Sequence, residues 1–71
     1  MASINVKLNK QIYRLGAIKQ AIKAYRDLAQ FSLRQDPQYY KVTIDNIDFD
    51  FKDILRDEFA NYILAVTKDA H

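Results

Sequence analysis

The chain has no cysteine and no tryptophan, and it holds one glycine, one proline and one histidine among 71 residues. Without cysteine, neither a disulfide framework nor a thiolate site for zinc or iron–sulfur is possible, which suits a reducing cytoplasm. The lone histidine, His71, is the last residue. Together with the absence of cysteine, that leaves no ordinary nucleophile–base pair, so the chain reads as a non-enzyme. No apolar run approaches the roughly 20 residues that cross a bilayer, and the start Met-Ala-Ser-Ile-Asn-Val lacks the charged and apolar regions of a signal peptide. The expected setting is therefore soluble and cytoplasmic, with no membrane partner.

What is present is a core. Hydrophobic residues make up 49% and aromatics 13% of the sequence, enough to fold. At this length the expectation is a single small domain, 1–71, near the size where one core is marginal and a partner helps.

Periodicity divides the chain into five elements. Ile4, Val6 and Leu8 alternate with Asn5, Lys7 and Asn9, predicting a half-buried strand. Leu15, Ile18, Ile22, Tyr25 and Ala29 then recur at three and four, widened by Ala17, Ala21 and Leu28, predicting an amphipathic helix. Its start carries no capping side chain, and Gly16 weakens the first turn. Phe31 and Leu33, then Tyr40, Val42 and Ile44, predict two strands joined by the turn Gln35-Asp36-Pro37-Gln38. Tyr39 lies on the face opposite Tyr40 and is expected to reach solvent. A second helix is expected with Asp50 as its cap, Asp53 in its first turn and Phe49 stapled on Ile54. Its apolar face runs through Phe51, Ile54, Leu55, Phe59, Tyr62, Ile63 and Val66 and ends near Lys68, with 69–71 fraying.

The order βαββα predicts an α+β two-layer sandwich. Both helices should cover the one apolar sheet face, with a right-handed crossover between the first two strands. The predicted sheet is three-stranded and antiparallel in the order 1-3-2, a ferredoxin-like frame that lacks its last strand. Thr67 to His71 are too few and too polar to supply that strand. Ile4 to Leu8 should thus form an exposed edge, with Lys7 guarding it against uncontrolled pairing.

Charge is divided along the chain. Residues 1–44 hold eight basic against two acidic residues, net +6; residues 45–71 hold three against seven, net −4. Lys19, Lys23 and Arg26 form a basic stripe on the first helix, and Asp50, Asp53 and Asp57 an acidic one on the second. The two can meet within one molecule or between two. The plain reading of the basic stripe is a solvated helix face; the overall +2 and the lack of an aromatic-and-basic motif place nucleic-acid binding third. The acidic stripe lacks the ligand spacing and glycine of a calcium loop, so no metal or other cofactor is expected.

The runs Ile12-Tyr13-Arg14-Leu15-Gly16-Ala17-Ile18-Lys19-Gln20-Ala21, Phe31-Ser32-Leu33 and Asp57-Glu58-Phe59-Ala60-Asn61-Tyr62 resemble the small HxsD-type proteins that accompany radical-SAM enzymes in His-Xaa-Ser peptide maturation. The likeness spans about residues 4–67 and lies largely in core positions. It implies an accessory or recognition protein and transfers no active site. The chain has no His-Xaa-Ser repeat, so it would be a helper and not the modified peptide.

The expected function is a binding or accessory module for a peptide or protein partner. Its contact residues would be Ile4, Val6 and Leu8 at the edge, with Lys19, Lys23, Arg26 and Tyr39. The alternative is a structural homo-oligomer, such as a homodimer, with no separate ligand.

Overall fold

Strand β1 (Ala2–Asn9) leads into helix α1 (Leu15–Tyr25), and strands β2 (Gln30–Gln35) and β3 (Tyr39–Ile47) follow. A short 3₁₀ turn over Phe49–Phe51 then runs directly into helix α2 (Lys52–Asp69). The structure, a computed structural model, describes residues 2–69. The expectations for His71 and for fraying at Ala70 lie outside the described residues, whereas Asp69 is still helical.

The sheet has the order β1-β3-β2 and is antiparallel throughout. β3 is central, so β1 and β2 form its two margins. Val6, Leu8, Val42, Ile44 and Ile47 point to one face, where they meet Ala17, Ile18 and Ala21 of α1 and Leu55, Phe59 and Ile63 of α2. Phe59 is the largest fully buried side chain. Its ring lies 5.2 Å from Phe31 and stands edge-on to Tyr25 at 6.2 Å, so β2 and both helices converge on it.

Three local devices shape this frame. Asn9 turns the chain after β1: its side-chain Oδ1 accepts from the Gln11 amide at 2.8 Å and its carbonyl accepts from Ile12 and Tyr13. Asp36 closes the β2–β3 hairpin by accepting from the Gln38 and Tyr39 amides at 2.8 and 2.7 Å. These bonds favour the carboxylate and hold the Asp36 pKa below its usual value, with Lys41 adding a smaller effect. The third device is a bulge near the end of β3. Ile4 pairs with Ile44 but Ala2 pairs with Ile47, and Asn46 takes a left-handed φ of 58°. Ile44 and Ile47, three residues apart, are therefore both fully buried, which strict alternation forbids.

Several local expectations are corrected. α1 ends at Tyr25, so Leu28 and Ala29 are not helical; Leu28 is 53% exposed. Its amide bonds to the Tyr25 carbonyl, and pairing of Gln30 with Asp45 then draws the chain into the sheet. At α2, Asp48 caps in place of Asp50, accepting from the Asp50 amide at 3.1 Å. The 3₁₀ turn advances each residue by about 120° instead of 100°, which takes Phe49 and Phe51 off the buried row. The predicted staple is absent as a burial: Phe49 is 67% and Ile54 51% exposed. The buried row of α2 begins at Leu55.

Candidate functional site

Ladder parity decides which backbone groups reach the β1 margin. In an antiparallel pair only alternate residues exchange hydrogen bonds. The Lys10 amide bonds to the Gln38 carbonyl at 3.0 Å, in register with β1 and β3. It follows that Ile4, Val6 and Leu8 spend their amides and carbonyls on β3. The outward groups belong to Ser3, Asn5, Lys7 and Asn9, and the Asn9 carbonyl is already taken by the turn. Asn5 and Lys7 are thus the centre of the free edge. Ile4, Val6 and Leu8, expected as contact residues, sit on β1, but their side chains turn toward the helices; Val6 is 9% and Leu8 2% exposed.

Polar side chains of all three strands share the opposite face of the sheet. Register aligns Lys7 with Lys41 and Lys41 with Arg34, a row of three cations across the whole sheet. Lys7 and Lys41 form a pair without mutual backbone bonds, the spacing at which side chains come closest. Two of the cations have contacts of their own. The Lys7 ammonium lies 4.2 Å from the centre of the Tyr39 ring, and Lys41 reaches Asp36 at 3.3 Å. Asn5 accepts from the Thr43 hydroxyl at 3.0 Å beside the row. A shallow depression of about 350 Å3 opens here, lined by Asn5, Val6, Lys7, Arg34, Lys41 and Thr43.

Tyr39 does face the open side, but it is half-buried under Lys7 and not free in solvent. Lys19, Lys23 and Arg26 are exposed in the helical layer, apart from the sheet's open face. The acidic stripe does not reach them: Asp53 and Asp57 pair instead with Arg56 of their own helix, at 3.7 and 3.5 Å. Among the described residues no group of three His, Cys, Asp or Glu side chains is placed to hold a metal ion. Among them, too, no helix is long and apolar enough to cross a membrane.

The sequence singled out Lys7 as a guard of the edge and gave no sign of Arg34 and Lys41 as its neighbours. The turn at Asp36 carries the signal for pairing Arg34 with Lys41; the place of Lys7 in that row depends on a register between β1 and β3 that no short-range pattern specifies.

What the fold and this geometry define is a small α+β sandwich with an open sheet margin beside a basic sheet face. Comparison with family models, with curated proteins and with solved structures finds no match.

Proposed function

We propose that the chain is a non-catalytic binding module, working in the cytoplasm, whose β1 edge takes up an extended segment of a peptide or protein partner. The observation that carries this reading is the outward-facing backbone of Asn5 and Lys7 on an unpaired margin. An added strand would gain main-chain hydrogen bonds there, each contributing about 0.5–1.5 kcal/mol net. The resemblance to HxsD-type proteins makes a precursor peptide of a maturation system the first partner to try.

The blocking variant is Asn5→Pro. Proline at an outward-facing position removes an edge donor and spares the β1–β3 ladder, whereas a proline at Val6 would break that ladder. A displayed library of alternating peptides should be enriched on the wild-type chain and not on Asn5→Pro. Equal enrichment on both, or none on either, refutes strand addition.

The second reading, a structural homo-oligomer, draws on the exposed side chains Leu28, Phe49, Phe51 and Ile54. Light scattering over a range of concentrations decides it: a dimer persisting at sub-micromolar protein favours this reading, and a monomer removes it.

A further inference from the structure

The row Lys7–Lys41–Arg34 ends at the β1 margin, so any strand added there extends it by one position. We infer that the segment taken up at β1 is acidic on one face: it alternates apolar residues toward the helices with a carboxylate opposite Lys7. This rests on the strand-addition reading above and names the chemistry of its partner.

The argument is one of charge and register. Residues directly opposite on neighbouring strands stand about 4.5–5.5 Å apart, and like charges there repel. The folded domain carries two such juxtapositions in one row. Asp36 partly offsets Lys41, and the Tyr39 ring receives Lys7, but Arg34 has no ion pair among the described residues. A carboxylate beside Lys7 completes a row that the fold leaves positive. On the opposite face the neighbouring rows are Val6–Val42–Leu33 and Leu8–Tyr40–Gln35, whose apolar β1 members Val6 and Leu8 an added strand meets with apolar side chains. The pattern selected is apolar–acidic–apolar.

The same row works against a second copy as the occupant. Pairing β1 with β1 of another molecule joins two basic rows in one continuous sheet, which is the edge protection usually given by a single inward or edge lysine, tripled. An acidic strand meets no such barrier.

The test uses three fluorescein-labelled peptides that alternate valine with glutamate, glutamine or lysine, titrated against the whole chain by anisotropy. The wild type should prefer the glutamate peptide to the glutamine peptide about five-fold at low salt, with the lysine peptide weakest and the preference fading at high salt. In the double variant Lys7→Glu, Arg34→Glu, with its fold checked by circular dichroism, the order should invert. In Asn5→Pro all binding should disappear. Equal affinity for the three peptides, still abolished by Asn5→Pro, overturns the acidic preference and leaves strand addition standing. Binding that survives Asn5→Pro, or no binding by any peptide, overturns both. Tighter binding of a single-stranded oligothymidylate than of the glutamate peptide assigns the basic row to phosphodiesters and overturns the inference. So does a wild-type dimer that Asn5→Pro dissolves, which makes a second copy the occupant.

Discussion

Asn46 offers the sharpest test of how the sheet is built. Among the described residues it is the one non-glycine position with positive φ, at 58°. A residue with an ordinary Cβ pays roughly 1–2 kcal/mol to sit there, asparagine less, because its short side chain tolerates that region. Asn46→Ala should therefore cost about 1 kcal/mol. Asn46→Gly should stay within a few tenths, since the relieved strain is offset by a more flexible unfolded chain. Asn46→Val should be the worst, because branching at Cβ crowds the backbone further. A domain of this length holds about 4–11 kcal/mol in all, so 1 kcal/mol is a measurable fraction. With a urea dependence near 1 kcal/mol per molar, the alanine variant should lose about 1 M in midpoint, or about 4–8 °C in Tm. The bulge also buries Ile47, so Ile47→Ala should cost about 2–5 kcal/mol even though strict alternation puts that residue on the solvent side. Urea titration followed by circular dichroism reads all four variants. Equal midpoints for Asn46→Ala and Asn46→Gly, together with a harmless Ile47→Ala, would refute the bulge.

Phe59 joins α2 to Tyr25 and Phe31, so Phe59→Ala should cost about 3–5 kcal/mol and leave the chain marginal or unfolded. A urea midpoint within a few tenths of a molar of wild type would contradict its place at the centre of the core. Asp36 contributes to the acid limb. Its folded pKa lies below its ordinary 3.8, so the unfolded chain binds the proton more readily. The stability it adds is present in full above about that pH and lost as pH falls through the lower folded value. Denaturation of wild type and Asp36→Asn at a series of pH values should show a gap at pH 6 that closes in acid; a gap independent of pH removes the carboxylate from the account.

Most of the architecture was legible in the sequence, and the reason lies in local periodicity. The alternation at Ile4–Leu8, the helical spacing from Leu15 to Tyr25, and the turn chemistry at Asp36-Pro37 each depend on residues a few positions apart. The two-layer arrangement and the 1-3-2 order follow because each apolar face must be buried with short connections. Signals failed where a long-range contact overrode a local one. Leu28 fits the stripe of α1, yet pairing of Gln30 with Asp45 ends the helix before it. Phe49 and Ile54 have staple spacing, yet the 3₁₀ turn capped by Asp48 leaves both exposed.

The candidate site divides in the same way. By itself the sequence determined that β1 is an amphipathic strand at a margin and that it carries Lys7. Only the tertiary structure decided that Lys7, Lys41 and Arg34 form one row, and that the free amides of the edge belong to Asn5 and Lys7 and not to Val6. Both facts are matters of register. A strand's alternation says which residues share a face, whereas which β1 and β3 residues stand opposite one another is fixed by the pairing of segments thirty or more residues apart and by the bulge at Asn46.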